Sequence, residues 1–334
     1  MNAKRPKVAF ISTGGTIASI GADSLQILDY GSNGKMLEAD ALVAAVPELA
    51  LVAEVIPVRF STVPSSNLYF TDWQLMVTEC DRLVAAHPDL AGIVIGHGTG
   101  SLEETAYFLN LTLKVAVPVV LVGSQRPISA LSSDGGMNLL NAVRVAAAPA
   151  SRGMGVLVLL NDEINAARDV TKTSNLRLQT FRTADFGVLG HADGDAVAYY
   201  RRPIRASAPN TEFDIRGLGS LPRVDIAPSY TGADGTAIRA FVAAGAAGII
   251  CSGFAPGSPT PADFEALEAA AATGVVVMQS TRAGSGRVFQ GKRLQRAGFL
   301  TTDNLTPVKA RLLLALALTK TRDPAEIARM FLTY

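Results

Sequence analysis

The feature that most constrains the fold of this chain is the alternation, in its first half, of short apolar runs with segments of helical pattern. The apolar runs are residues 8–11, 51–58, 92–95, 117–122 and 155–160, and the helix-like segments between them are residues 38–46, 71–86, 101–113 and 136–147. Strands that are apolar along their whole length are typical of a parallel sheet covered by helices on both faces. We therefore predict an α/β fold with a mostly parallel sheet.

The third helix-like segment begins with a sequence signal for a helix start. Ser101 is followed three residues later by Glu104. A serine before a helix, with an acidic residue three positions on, is the pattern of a capping box, in which the two residues satisfy each other's backbone N–H groups. We predict that Ser101 caps this helix.

A break in the pattern divides the chain. Residues 203–222 contain three prolines and two glycines and show no clear periodicity, so we predict a linker there between an N-terminal domain, 1–202, and a smaller C-terminal α/β domain, 223–334. The length of 334 residues is sufficient for two cores. In the second domain we predict strands at 224–226, 248–251 and 275–278 and helices at 236–244, 261–272, 307–319 and 324–332.

Composition and charge argue against several classes of protein. Thirty basic side chains balance 29 acidic ones, so there is no net field to hold nucleic acid or an anionic membrane. The apolar runs fall short of the ~18 residues that a membrane span needs, and the first of them is too short for a signal-peptide core. The two cysteines, Cys80 and Cys251, are far apart and are predicted to be buried thiols rather than a disulfide. We predict a cytoplasmic protein.

Two loops that follow predicted strands are the places to look for function. In an open α/β sheet, ligands bind at the carboxyl ends of the strands. Residues 12–18 follow the first strand and residues 96–101 follow the third, and both loops place glycines beside threonines. Glycines allow sharp turns that expose backbone N–H groups, which can stabilise a developing oxyanion.

Several common catalytic and ligand-binding motifs are absent from the sequence. It contains neither the G-x-S-x-G elbow of serine hydrolases nor the GxxxxGK[ST] loop that binds nucleotide triphosphates. Residues 98–103 approach a dinucleotide fingerprint, but Glu103 stands where the last glycine is required. His87, His97 and His191 lack the spacing of a zinc site, and His97 is expected to be a hydrogen-bonded structural residue. We predict no cofactor and no metal.

Five segments, in their order and spacing, carry a resemblance that is specific in combination. They are Thr13-Gly14-Gly15-Thr16-Ile17-Ala18, His97-Gly98-Thr99, Glu103-Glu104-Thr105-Ala106-Tyr107-Phe108-Leu109, Asp134-Gly135-Gly136 with Asn138-Leu139-Leu140-Asn141-Ala142-Val143, and Arg168-Asp169-Val170-Thr171-Lys172-Thr173. With them, and with residues 309–319 near the C-terminus, the chain resembles the bacterial L-asparaginase family over nearly its full length.

The resemblance implies a role for individual residues. Thr16 matches the family's nucleophile, and Tyr30 falls where the family's nucleophile-activating tyrosine is expected. Thr99 and Lys172 match two members of the family's second catalytic group. The resemblance further implies a substrate site that includes Gly15, Ser65, Ser66, Gly98, Gly100 and Ser258. It also implies an assembly of two intimate dimers, with each site completed by the C-terminal domain of a partner.

The chemistry of these side chains agrees with the resemblance. A threonine hydroxyl is a weak nucleophile and needs a nearby base. A tyrosine phenol or a lysine whose pKa is lowered by burial can serve. The predicted course is attack on a carboxamide, release of ammonia and hydrolysis of an acyl-enzyme by water. Direct attack by water is an alternative that the sequence leaves open.

The sequence departs from the family at the contacts to the substrate's α-ammonium group. Gly100 stands where the family has an aspartate, and Ser258 stands where it has an asparagine. Residues 282–296 are rich in basic residues and lack a counterpart of the partner subunit's acidic residue. A charge-assisted hydrogen bond contributes ~1.5–3 kcal/mol, so its loss weakens binding roughly 10- to 100-fold.

Three functions therefore stay open at the level of the sequence. The first is hydrolysis of L-asparagine to L-aspartate and ammonia. The second is hydrolysis of an amide without a free α-ammonium, such as an N-substituted or deaminated amide or a lactam. The third is ligand binding without catalysis, since a fold does not fix a function.

Overall fold

A computed structural model describes residues 4–334, which form two compact units that divide between Arg216 and Gly217. The strands of the first unit are β1 (Lys7–Ser12), β2 (Glu54–Arg59), β3 (Leu90–Gly96), β4 (Val119–Val122), β5 (Val156–Leu160), β6 (Glu163–Ala166), β7 (Thr171–Lys172), β8 (Phe181–Arg182), β9 (Gly190–Ala192) and β10 (Val197–Tyr199). Its α-helices are α1 (Ala39–Ala44), α2 (Leu49–Val52), α3 (Phe70–Ala86), α4 (Leu102–Thr112) and α5 (Gly135–Ala147).

The first unit is built on an eight-stranded sheet in the order β10-β9-β6-β5-β4-β3-β1-β2. The pairs from β2 to β5 are parallel, whereas β6, β9 and β10 join in antiparallel fashion. Strands β4 and β5 are buried along their whole length, as the continuous apolar runs predict. The predicted mostly parallel sheet is confirmed.

Helix packing on the sheet creates the core of this unit. Phe10, Val94 and Leu139 are fully buried in one apolar cluster that joins β1, β3 and α5. Elsewhere in the unit, the Trp73 ring of α3 stacks on Phe108 of α4 with ring centroids 4.5 Å apart. These contacts fix the positions of the strands and of the loops that follow them.

The second unit is a smaller α/β sandwich. Its strands β11 (Val224–Pro228), β12 (Gly248–Gly253), β13 (Val276–Thr281) and β14 (Leu300–Thr301) form a four-stranded parallel sheet in chain order. Its helices are α6 (Thr236–Ala243), α7 (Pro261–Ala272), α8 (Lys292–Arg296), α9 (Pro307–Ala317) and α10 (Pro324–Thr333). The predicted C-terminal α/β fold is confirmed.

The predicted capping box at Ser101 is wrong. Ser101 does precede α4, but its side chain makes no capping hydrogen bond. Instead its hydroxyl donates to the Ser65 carbonyl oxygen at 2.8 Å, and its N–H group lies 3.3 Å from Ser65 Oγ. A tertiary contact between two loops has replaced the local cap.

Both cysteines are buried thiols, one in each unit. Cys80 in α3 and Cys251 in β12 are free, as predicted. None of the helices within residues 4–334 combines the length and the apolar character that a bilayer-spanning helix needs.

Candidate active site

The order of the central strands predicts a ligand crevice at one edge of the first sheet. The chain runs from β1 to β2 on one side, while β3, β4 and β5 follow on the other side of β1. The strand order therefore reverses between β1 and β3, and ligands of open α/β sheets bind at such a switch point. The residues that follow these two strands include Thr16 and Thr99.

The two threonine loops touch each other through glycine backbone. A β-carbon placed on Gly15 would lie 2.3 Å from the Gly98 Cα atom, which no side chain could tolerate. Gly15 also has φ of 80°, a conformation that favours glycine. Each glycine immediately precedes its threonine, so the close approach brings Thr16 and Thr99 to the same edge of the sheet.

Thr16 forms a hydrogen-bonded pair with Tyr30. The Thr16 Oγ1 and Tyr30 hydroxyl oxygens are 2.7 Å apart, and either group can donate. Tyr30 lies in a loop, residues 20–35, whose ends are joined by the Ile20 N–H group donating to the Lys35 carbonyl. Both paired side chains are partly exposed, so a small molecule can reach the pair.

Thr99 forms the second pair, with Lys172. The Lys172 Nζ atom lies 2.8 Å from Thr99 Oγ1, although the two residues are 73 positions apart in the chain. Burial lowers the pKa of Lys172, and the Glu103 carboxylate partly opposes that shift. A lower pKa leaves more of the amine neutral near physiological pH, when it can accept a proton from the Thr99 hydroxyl or from a water molecule.

Glu103 is a residue of the site whose contacts the sequence did not predict. Its Oε2 atom accepts a hydrogen bond from the Thr171 hydroxyl at 2.7 Å, and its Oε1 atom accepts one from the Lys172 N–H group at 3.1 Å. The only signal in the sequence was its place near Thr99 in the motif that resembles the family. A glutamate in the first turn of a helix is otherwise typical of a surface position.

Ser65 lies against the same glycines. Its side-chain atoms would be 2.9 Å from a β-carbon on Gly98, and Ser65 itself is buried at 8% exposure. Ser66 is exposed, and its hydroxyl contacts the Asn67 side chain at 3.4 Å. The structure therefore brings Ser65 to the threonine loops, while the described contact of Ser66 is with its neighbour.

Gly100 leaves space where an acidic side chain is expected from the resemblance. It is exposed, and a β-carbon on it would meet only Ser65 Oγ within 4 Å, at 3.1 Å. Its φ is not in the left-handed region, so the backbone itself does not require glycine. The effect of Gly100 is therefore to leave space in the crevice, and the backbone conformation at this position would allow other residues.

Ser258 lies in the second unit, in a tight loop after β12. It is exposed, and its backbone exchanges two hydrogen bonds of 2.7 Å with Phe254. In the same unit, the Arg282 guanidinium stacks over the Phe254 ring at 4.3 Å from its centroid. A role for Ser258 in binding substrate stays a prediction.

His97 is buried behind the second threonine loop. Its Nδ1 atom lies 2.8 Å from the carbonyl oxygen of Gly98, so Nδ1 carries the proton in the neutral ring. Burial lowers the pKa of His97 to about 4. A ring that is neutral and fully buried acts as a structural support for the loop, as the sequence indicated.

No cluster of metal ligands accompanies these pairs in the described part of the chain. Among residues 4–334, the side chains of His, Cys, Asp and Glu form no group of three that could hold a metal ion. The two pairs supply hydroxyls and an amine, and Glu103 adds a carboxylate that is bonded to Thr171 and to the backbone of Lys172.

These features define a class of protein: a two-unit α/β protein with a threonine–tyrosine pair and a threonine–lysine pair at a switch point of its larger sheet. Residues 7–205 match the family model described as the N-terminal asparaginase domain. Residues 223–331 match the model described as the glutaminase/asparaginase C-terminal domain. The chain belongs to the asparaginase family.

Individual relatives are similar over almost the whole chain. L-asparaginase 2 of Bacillus subtilis strain 168 is 40% identical, over 98% of this chain and 87% of its own length. A glutaminase-asparaginase of Pseudomonas fluorescens biotype A is 37% identical, over 99% of this chain and 91% of its own. A solved structure, a probable cytoplasmic L-asparaginase from Campylobacter jejuni, superposes with a TM-score of 0.93 at 38% identity, and the match covers 99% of this chain and 100% of that one.

Proposed function

We propose that this protein is an amidohydrolase of the L-asparaginase type, which converts L-asparagine to L-aspartate and ammonia. The observation that carries the proposal is the 2.8 Å contact between Lys172 Nζ and Thr99 Oγ1. A lysine amine held against a threonine hydroxyl, beside a second threonine bonded to a phenol, is a pattern for moving protons at an acyl centre. Relatives whose names include L-asparaginase support the choice of substrate.

The proposed reaction uses Thr16 as the nucleophile. Its oxygen attacks the carboxamide carbon while its proton passes toward Tyr30, 2.7 Å away. The Tyr30 hydroxyl relays that proton to the amide nitrogen, the C–N bond breaks, and the nitrogen leaves as ammonia. Water attacks the resulting ester while Thr99 and Lys172 take one of its protons. That proton passes to Thr16 Oγ1 as the ester C–O bond breaks, which restores the hydroxyl. Direct attack of that water on the amide is the variant in which no ester forms.

The binding groups follow from the same crevice. We propose that Ser65 and Ser66 bind the substrate's carboxylate, and that the backbone of Gly15, Gly98 and Gly100 lines the site, with Gly100 exposed and the other two glycines packed against each other. Ser258 would belong to a site completed by the C-terminal unit of a partner in a dimer of dimers. A cytoplasmic location is also proposed, and the name of the Campylobacter jejuni relative supports it, whereas a Haemophilus influenzae relative is named as probably periplasmic.

A second candidate is favoured by one observation, the open space at Gly100. No side chain on this residue can accept a hydrogen bond from a substrate ammonium. The nearest carboxylate on the same helix start, Glu103, is already bonded to Thr171 and to the backbone of Lys172. An amide without a free α-ammonium, such as succinamic acid, loses nothing in such a site, whereas L-asparagine does.

Ammonia release from L-asparagine, L-glutamine and succinamic acid, measured side by side, tests both candidates. A highest kcat/KM for L-asparagine supports the first candidate and rejects the second, and a highest kcat/KM for succinamic acid does the reverse. Ligand binding without turnover of any of the three would reject the enzyme proposal. The matched control is Thr16→Val, which keeps the shape of the side chain and removes its hydroxyl. It should abolish the release.

A further inference from the structure

The Glu103 carboxylate connects two parts of the first unit that are far apart in sequence. It lies in the first turn of α4, close to Thr99, and both of its oxygens are bonded to the two-residue strand β7. One oxygen accepts from the Thr171 hydroxyl at 2.7 Å and the other from the Lys172 N–H group at 3.1 Å. The two bonds form a fork that fixes β7 relative to the start of α4.

Strand β7 needs such a support because its own pairing is minimal. It pairs only with β8, through Thr171 opposite Arg182 and Lys172 opposite Phe181. A lysine side chain is a flexible four-carbon chain, so the position of its backbone decides which atoms its amine can reach. The fork sets that position, since one of its two bonds is made to the backbone of Lys172 itself.

We infer that Glu103 is the positioning residue that holds the Lys172 amine against the Thr99 hydroxyl. The inference rests on the proposed function, in which the Thr99–Lys172 pair handles the proton of the attacking water. Glu103 acts through its neighbours and need not touch the substrate. It also stands at the positive end of the α4 dipole, which stabilises a carboxylate there.

Other charged side chains near Lys172 are paired with each other, so the effect of the Glu103 charge on Lys172 can be tested by itself. On β8, the Arg182 guanidinium is 3.4 Å from the Glu163 carboxylate. In the turn before β7, Arg168 and Asp169 form an ion pair of 3.0 Å. Glu103 is the charge that acts on the pKa of Lys172, and it raises that pKa against the larger lowering effect of burial.

Glu103→Gln separates the charge of Glu103 from its geometry. The amide oxygen can accept from the Lys172 N–H group, and the amide nitrogen can donate to the Thr171 hydroxyl, because a hydroxyl also accepts. The fork is kept while the charge is lost, so the pKa of Lys172 falls further. We expect kcat on the high-pH plateau to stay within about threefold of the wild type. The acidic limb of the pH profile should move to lower pH.

Glu103→Ala removes both the charge and the fork. We expect kcat to fall by about tenfold or more at every pH, because general acid–base catalysis depends on placement of the proton acceptor. The control is Glu104→Gln, which removes the same charge from the next residue of the same helical turn. It should leave both kcat and the pH profile as in the wild type.

The experiment combines pH profiles of kcat with the 13Cε titration of Lys172, assigned with a Lys172→Arg variant. The inference is overturned if Glu103→Ala retains wild-type kcat, or if Glu103→Gln leaves both the acidic limb and the Lys172 titration unchanged. If Glu103→Ala does not fold, as judged by thermal unfolding, Glu103→Gln carries the test. If the wild type hydrolyses no amide, the proposed function fails, and the Lys172 titration still decides whether Glu103 controls the amine.

Discussion

At the scale of the residue, Gly15 decides how closely the two threonine loops approach each other. It combines a φ of 80° with a position at which an added β-carbon would lie 2.3 Å from Gly98 Cα. Gly15→Ala must therefore separate the loops. We expect kcat to fall about tenfold or more and the free energy of unfolding to fall by about 1–3 kcal/mol.

Urea unfolding and steady-state kinetics would measure these two effects. Gly194→Ala is the matched control, because a β-carbon on Gly194 meets nothing within 4 Å and its φ is not positive. Wild-type kcat in the Gly15→Ala variant would show that the contact between the loops is unrelated to turnover.

The roles of site residues could be predicted where the residues belong to a sequence motif. Their contacts could not be predicted where those contacts join distant parts of the chain. Thr99 and Lys172 were paired from the family resemblance, and the structure places their polar atoms 2.8 Å apart. The fork of Glu103 and the bond from Ser101 to Ser65 depend on loops that meet only in the folded chain. A local pattern such as a capping box cannot anticipate them.

At the scale of the element, helices α3 and α4 are locked by one buried hydrogen bond. The Trp73 indole N–H group donates to Thr105 Oγ1 at 2.9 Å, and Thr105 is fully buried. Thr105→Val keeps the shape but leaves the indole donor without a partner. We expect the free energy of unfolding to fall by about 1–3 kcal/mol.

Chemical denaturation of Thr105→Val beside Thr78→Val would isolate this bond. Thr78 lies on the exposed face of α3, where its hydroxyl donates to the Gln74 carbonyl at 2.9 Å and water can replace it. Equal stability losses in the two variants would argue against a special contribution from the buried bond.

Most elements with a continuous apolar run were predicted well, whereas short strands were missed. The predicted strand 51–58 is wrong at its start, because residues 51–52 lie in helix α2 and strand β2 begins at Glu54. Strands β1, β3 and β5 and helix α7 agree with the predicted spans to within two residues at each end. The strands from β6 to β10 were not predicted, because they have two to four residues and mixed polarity. Such strands form because neighbours pair with them, and this information is non-local.

At the scale of the whole molecule, the buried His97 makes stability depend on pH. Its pKa is about 4 in the folded chain, against an ordinary value of 6.5. Between pH 6.5 and 4 the unfolded chain binds a proton that the folded chain does not, so stability falls as the pH falls through this window. We expect the contribution of this one group to the loss to be about 3 kcal/mol.

His97→Asn provides the comparison, because its side-chain amide can donate to the Gly98 carbonyl without titrating. The free energy of unfolding, measured from about pH 7 to pH 4, should decrease less steeply in the variant than in the wild type. Parallel curves for the two proteins would contradict the assignment.

At this scale, the composition of the sequence predicted one feature, the division of the chain into two units. The proline- and glycine-rich residues 203–222 were predicted as a linker, and the compact units divide between Arg216 and Gly217. The two family models leave residues 206–222 between them. The exact domain limits and the dimer-of-dimers assembly stay predictions, because both depend on contacts that sequence patterns do not contain.

The central claim is that the Thr16–Tyr30 pair and the Thr99–Lys172 pair serve one reaction at one carbonyl group. It is tested most directly by kcat for amide hydrolysis in the wild type, Thr16→Val, Lys172→Met and the double variant. We predict that each single change lowers kcat by about 10²- to 10⁴-fold and that the double variant is no worse than the less active single one. Single variants with wild-type kcat, or a double variant whose loss is the product of the two single losses, would contradict the claim.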